Sequence, residues 1–264
     1  MRYIVITFDD GRRDNFTTAL PIMQKYGLYG TVFVTTGFID GSWNKDESWL
    51  SAGEALNIDE LKFLKYSNWE IALHGDRHTT DIDDMEVSMQ KINSWLGTSN
   101  RFGFSVPNSN ASSEKIKEIE EVCLNGGRVA YIRRGRGRNT HSLGSKLLFA
   151  LYTLFKLQWA YNRFNAVSIN NMACIDKTNL KSVVIRSEDD PKMVSRFIEQ
   201  TPDNSLIVLM LHSIIEKDAP LYNADPWCWD SDYFTSLCAD IRKFIDNRMV
   251  AITTLERLFV HDKV

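Results

Sequence analysis

The stretch Tyr3-Ile4-Val5-Ile6-Thr7-Phe8-Asp9-Asp10-Gly11 constrains the fold more than any other part of this chain. Its apolar, β-branched opening reads as a strand buried on both faces. Asp and Gly disfavour strand, so the strand ends there and leaves two adjacent carboxylates at its C-terminal mouth. In barrels and open sheets built from β/α units, that mouth is where ligands bind and chemistry occurs. Two neighbouring carboxylates repel each other, and a nearby cation, most simply a metal ion, relieves the repulsion. The plainer alternative makes Asp10 the N-cap of a following helix and leaves Asp9 solvated.

The rest of the chain repeats the same alternation. A helical pattern through Phe16, Leu20, Ile22, Met23 and Tyr26 ends at Gly27 and Gly30, and Thr31–Thr35 follows as a second strand. A strand, an amphipathic helix and a strand within about 35 residues make a βαβ unit and favour a parallel sheet. Further strands are expected at 69–73, 102–106, 129–132, 206–211 and 250–252, and helices at 59–66, 81–96, 111–124 and 233–245, with Thr253 capping a last helix. Residues 37 to 56, with Trp43 and Trp49, form a polar loop long enough to be functional. The count is about seven strands, close to a (β/α) barrel, and barrels of this length fold as one unit, so residues 1–264 are expected to form a single domain. A net charge of −3 gives no global pull toward nucleic acid or membrane. No apolar run approaches the ~20 residues of a membrane span, no secretory signal is evident, and the four cysteines show no CxxC spacing, which together read as a cytoplasmic protein with reduced thiols.

Three of the five histidines, His74, His78 and His212, fall at or just after the end of an expected strand, as Asp9 and Asp10 do. His141 and His261 do not, and read as surface residues. A lone strand-end histidine is commonly structural, and an isolated His-x-x-x-His is commonly an exposed helical pair. Three histidines and two aspartates at equivalent positions of one sheet, however, converge on one mouth. The spacing of His74 and His78 puts two imidazoles on one side of a helical turn or across a tight loop. With Asp10 they make a two-histidine, one-carboxylate face that leaves open positions on zinc or another first-row metal.

These residues resemble a known family. Thr7-Phe8-Asp9-Asp10-Gly11 is identical to the first signature motif of the polysaccharide deacetylases (carbohydrate esterase family 4, the NodB-homology group). His74-Gly75-Asp76-Arg77-His78-Thr79 resembles their second motif, and Leu211-His212 and the closing Ile252-Thr253-Thr254-Leu255 resemble their last. The resemblance implies an α/β fold, a deformed (β/α) barrel of about seven strands, and metal-dependent hydrolysis of an N-acyl group, usually N-acetyl, on an amino sugar. It further implies that Asp10, His74 and His78 bind a divalent metal, zinc first, with cobalt, nickel or iron as alternatives. Asp9 is then the general base and His212 the general acid, and the backbone N–H of Asn108, after Pro107, is the oxyanion donor. Such chemistry suits an amide: the metal activates water and the carbonyl, a base takes a proton, and an imidazole protonates the leaving amine.

The third motif departs from the family, with Phe104 in place of an arginine that holds the base in some members and Ser109 where glycine is common. Arg101, Arg133, Arg134 and Arg186 are the candidates to replace that arginine, and the sequence does not choose among them. The fourth motif is represented at best by Ser187-Glu188-Asp189-Asp190.

Two further stretches stand out. The basic run Arg128 to Arg138, including Arg134, is either a solvated loop or an anion pocket for a phosphate-linked or lipid-linked sugar. Leu143 to Phe164 is unusually apolar, and reads as a packing or homo-oligomer surface or as an interfacial helix making peripheral membrane contact. Trp227 and Trp229 either stack on a sugar ring or pack in the core. The reading is a metal-dependent N-deacylase of an amino-sugar glycan or its precursor. Its rivals are a C–N hydrolase on a non-sugar amide or formamide, including a lipid-linked formamido sugar, and a catalytically dead sugar-binding relative.

Overall fold

The computed structural model describes residues 1–43, 53–97, 101–109, 111–121, 129–136 and 142–260. Trp49, the end of the 111–124 helix, Arg128, Arg138, His141 and His261 lie outside the described residues.

Eleven strands follow in chain order: β1 (Arg2–Phe8), β2 (Thr31–Val34), β3 (Glu70–Leu73), β4 (Phe102–Ser105), β5 (Val129–Arg133), β6 (Asn170–Asn171), β7 (Val183–Val184), β8 (Ser205–Leu211), β9 (Ser213–Ile215), β10 (Cys228–Asp230) and β11 (Val250–Ile252). Seven of them, β1 to β5, β7 and β8, run parallel and curl into a deformed barrel. The seam between β5 and β7 rests on irregular pairing: the Ile132 N–H donates to Lys177 O at 2.7 Å, Leu180 N–H to Ile132 O at 3.0 Å, and Arg134 N–H to Leu180 O at 2.7 Å. β1 is central. β8 pairs along its whole length on one side, while on the other β11 pairs with its first half and β2 with its end. β6 runs antiparallel to β8 at the bottom.

The sheet is apolar on both faces, as a parallel sheet must be when helices cover it. Ile4, Ile6, Phe8, Val32, Val34, Ile207 and Leu209 face the surrounding helices. Their alternates Val5, Phe33, Ala72, Tyr131 and Val208 pack against one another as a second, smaller core. That inner core is an apolar plug lying below the carboxyl ends of the strands.

Several sequence expectations shift in detail. The helix after β1 does not begin at Asp10: the chain first makes a wide turn over Asn15–Ala19, then the helix Leu20–Lys25. Asp10 is therefore not its cap. The last helix is capped by Thr254, whose side chain accepts from Arg257 N–H, and not by Thr253. β6, β7, β9 and β10 span only two or three residues each, too few to show a period, and the sequence reading passed over them.

At the bottom of the barrel the buried Glu70 carboxylate accepts from Tyr131 Oη, from Thr31 Oγ1 at 2.8 Å and from Glu256 N–H at 3.0 Å. Burial outweighs these donors and pushes its pKa up from 4.5 to about 7. A carboxyl raised by folding contributes stability that is full below its unfolded pKa and is lost as pH rises through the folded one. The wild type is expected to lose up to ~3 kcal/mol more than Glu70→Gln between roughly pH 4.5 and 8, measured by urea unfolding at each pH. Equal slopes for the two proteins would remove Glu70 from the account.

Candidate metal centre

At the carboxyl end of β1 the backbone turns left-handed at two consecutive residues, Asp10 and Gly11, each with φ 79°. Such a conformation costs of order 1 kcal/mol or more for a residue with a side chain and persists where the surroundings enforce it. Gly11 is required here, because an added Cβ would lie 3.0 Å from Ile39 and 3.2 Å from Val34. The Asp10 carboxyl is completely buried, and Arg12 Nε donates to its Oδ2 at 3.1 Å. Its Oδ1 is buried and has no hydrogen-bond partner. That oxygen lies 3.5 Å from His74 Nε2 and 3.7 Å from His78 Nε2.

The two histidines leave β3 on a loop, not on a helix. Asp84, from the following helix Ile82–Leu96, accepts from Asp76 N–H at 2.9 Å and from Arg77 N–H at 2.9 Å and so fixes the loop. Gly75 (φ 82°) makes room for this, since a Cβ there would meet Asp84 Oδ2 at 2.5 Å. His78 takes φ 57°, and its Nε2 comes within 3.2 Å of His74 Nε2. His74 Nδ1 is 2.9 Å from Ser105 O, a carbonyl that can only accept. The proton is therefore on Nδ1, and the Nε2 lone pair points at Asp10 and His78.

Three donor atoms separated by 3.2, 3.5 and 3.7 Å match the ~3.4 Å edge of a tetrahedron with ~2.1 Å bonds. A buried carboxylate oxygen without a hydrogen-bond partner, facing two imidazole Nε2 atoms, fits a divalent cation. Among the described residues, these three are the group whose ligand atoms gather this way. Burial alone would raise the Asp10 pKa, but His74, Arg12 and His212 together hold it far below the usual carboxylate range. Burial, with His74 adding, pushes His78 down to about 3, so its imidazole is neutral at ordinary pH, as a metal ligand must be.

Charge counting supports the same conclusion. Asp9, Asp10 and Asp225 are buried carboxylates, and Arg12 and Arg133 are buried guanidiniums. Arg12 joins Asp10 to Asp225 and donates to Ser213 Oγ at 3.0 Å. Arg133 Nη2 donates to both oxygens of Asp9 and to Ser105 Oγ, while its guanidinium lies 4.8 Å above the Phe33 ring of the inner core. Among these groups carboxylates outnumber guanidiniums, and an excess of negative charge is costly in a buried site unless a cation joins it.

Above this layer opens a cleft of about 410 Å³, lined among others by Asp9, His74, His78, Asn108, His212 and Trp227. His212 follows β8; Asn15 Nδ2 donates to its carbonyl at 2.7 Å, and the neighbouring Ile214 N–H donates to Asp14 at 2.8 Å. Its ring lies 5.1 Å from that of Trp227, and burial pushes its pKa below the ordinary value. Asn108 and Ser109 both adopt positive φ, 54° and 53°, which accounts for the glycine common at the latter position. Pro107 is buried behind them.

Of the nine site residues read from the sequence, Asp9, Asp10, His74, His78 and His212 converge, and Asn108 and Trp227 line the cleft. Arg134 is not among the lining residues; its guanidinium donates to Ala111 O at 2.9 Å. Trp229 is buried, with its Nε1 donating to Asp189 O. Of the four arginine candidates it is Arg133, from β5, that holds Asp9. Arg12, Asp84 and Asp225 were missed by sequence reasoning, and only the position of Arg12 two residues after the Asp pair offered a signal.

Arg133→Leu would leave Asp9 as a buried, unpaired carboxylate, and is expected to cost about 3–5 kcal/mol. Adding Asp9→Asn to it should recover most of that loss, as read by a double-mutant cycle in urea.

Residues 1–125 match the family model described as Polysaccharide deacetylase. No curated protein matches the sequence. Solved structures share the fold along nearly the whole chain. The CE4 domain of a multidomain xylanase from the hindgut metagenome of Trinervitermes trinervoides is 12% identical with a TM-score of 0.51, covering 97% of this chain and 88% of its own. A family 4 acetyl xylan esterase from Clostridium thermocellum, solved with a cobalt ion, is 14% identical with a TM-score of 0.51, covering 97% and 89%. A CE4 pseudoenzyme from Bacillus anthracis is 12% identical with a TM-score of 0.51; the match covers 97% of this chain but only 64% of that one.

Proposed function

We propose that this chain, which belongs to the polysaccharide deacetylase family, is a metal-dependent hydrolase removing an N-acyl group, N-acetyl in the first place, from an amino sugar in a glycan or glycan precursor. The observation that carries the reading is the unpartnered, buried Oδ1 of Asp10 facing His74 and His78 Nε2.

A divalent metal on these three residues would supply Lewis acidity toward water and the acyl carbonyl. Everything else is done by the chain. Asp9 lines the cleft and is positioned by Arg133, which donates to both its oxygens; in this reading it is the general base. It takes a proton from the attacking water as the water oxygen bonds to the acyl carbon. His212, which also lines the cleft, gives a proton to the amine nitrogen as the C–N bond breaks. The products are a carboxylate and a free amino sugar. Asn108 lines the cleft, and its backbone N–H is the donor we assign to the developing oxyanion. Trp227, beside His212, supplies an apolar face of the kind on which sugar rings stack.

Two measurements test this. Elemental analysis after dialysis without chelator should find near-stoichiometric metal in the wild type, zinc first, and little in Asp10→Ala. Asp9→Asn and His212→Ala should each keep the metal yet lower acetate release from N-acetylated oligosaccharides by about 10²–10⁴-fold. A metal-free wild type whose melting temperature does not respond to added zinc overturns the mechanism. Stoichiometric metal without acyl release from any amino-sugar substrate favours a binding role instead.

A further inference from the structure

The apolar stretch after β5 folds as two helices, Leu143–Phe155 and Gln158–Asn165, separated at Lys156, which adopts φ 52°. One side of this hairpin is committed to the interior: Tyr152, Tyr161 and Phe164 are buried, and Leu148, Phe149 and Leu151 pack on the main core. The other side is not. Leu143 is 85% exposed, Leu147 59%, Leu154 74%, Phe155 67% and Trp159 58%, and none of the five is among the side chains packed on the core. These five account for half of the ten large hydrophobic side chains exposed among the described residues, and they sit within 17 positions. An apolar patch of that kind marks a contact surface.

The charge along this stretch of sequence is one-sided. Residues 129–175 contain seven Lys and Arg and no Asp or Glu; all 34 acidic residues of the chain lie elsewhere. Lys146, Lys156 and Arg163 are exposed on the hairpin itself. Leu, Phe and Trp flanked by Lys and Arg, without acidic residues, are the composition of a helix that lies in the plane of an anionic membrane surface. No helix among the described residues is long and apolar enough to cross a membrane. The core-facing side of the hairpin is tied to the site: Phe149 lies 5.3 Å from the Arg186 guanidinium, which lies 5.4 Å from the Trp227 ring, which in turn is 5.1 Å from His212.

We infer that the exposed face of the 143–165 hairpin docks on an anionic phospholipid bilayer, and that the amino sugar offered to the adjoining cleft is carried on a lipid. The second half of this statement rests on the hydrolase reading; the first does not.

The test is sedimentation of the full chain with vesicles of mixed phosphatidylglycerol and phosphatidylcholine, and with vesicles of phosphatidylcholine alone. Binding to the anionic vesicles is expected, falling about ten-fold or more on neutral ones, in Leu154→Ser/Phe155→Ser and in Lys146→Glu/Arg163→Glu. All four side chains are exposed, so unchanged melting temperatures are expected and serve as the folding control. Asp10→Ala should bind vesicles as the wild type does, which separates this inference from the metal chemistry. Absence of sedimentation with either vesicle, or variants that sediment as well as the wild type, overturns it. So does a dimer, seen by light scattering, that Leu154→Ser/Phe155→Ser splits: a second copy would then be what covers the face.

Discussion

The structure depends on keeping several like charges buried together at the mouth of an otherwise apolar barrel. Asp9, Asp10 and Asp225 are all withdrawn from water, and the chain supplies Arg12 and Arg133 to hold them. Neither arginine is decorative. Each is itself buried and would be expensive without its carboxylates, so the cluster is stable only as a set. Below it the plug of Val5, Phe33, Ala72 and Val208 keeps the dielectric low, which sharpens both the repulsion and its relief. The residual charge falls on Asp10 Oδ1, where the two imidazoles meet it.

Much of this was legible in the sequence, and for physical reasons. Strands buried on both faces leave continuous apolar runs, and polar residues at their ends have nowhere to go except the mouth. That is why Asp9, Asp10, His74 and His212 could be placed together from the strand pattern alone. The same argument yields the parallel sheet and about seven strands. What failed was short or non-local. β7 is two residues paired with β8, next to a 177–180 segment that bonds irregularly to β5, and no period exists in two residues. Asp225 and Arg12 are 213 positions apart, and Arg133 reaches Asp9 across 124, distances at which one sequence gives no pairing. The choice among four arginines needed the register of β5 against β4.

Family 4 structures similar to this chain include an esterase solved with cobalt and a pseudoenzyme, so the shared barrel does not decide activity. The particular side chains at the mouth do. In this chain Asp9 is held from β5 by Arg133 and not from the Phe104 position, which lies on β4. Ser105, also on β4, accepts from Arg133 and presents its carbonyl to His74.

Neighbouring residues of a strand point to opposite faces of the sheet, so two consecutive aspartates should not be able to serve one cavity. The left-handed turn at Asp10 removes that obstacle. By reversing the sign of φ at the second aspartate, the chain swings a side chain that the pleat would send outward back toward its predecessor's side. The pair is therefore a property of the backbone as much as of two carboxyl groups. Asparagine, which shares aspartate's tolerance for this conformation, could replace Asp10 and keep the shape while losing the charge. A β-branched residue there would misdirect the chain itself, and with it the approach of Gly11 to β2.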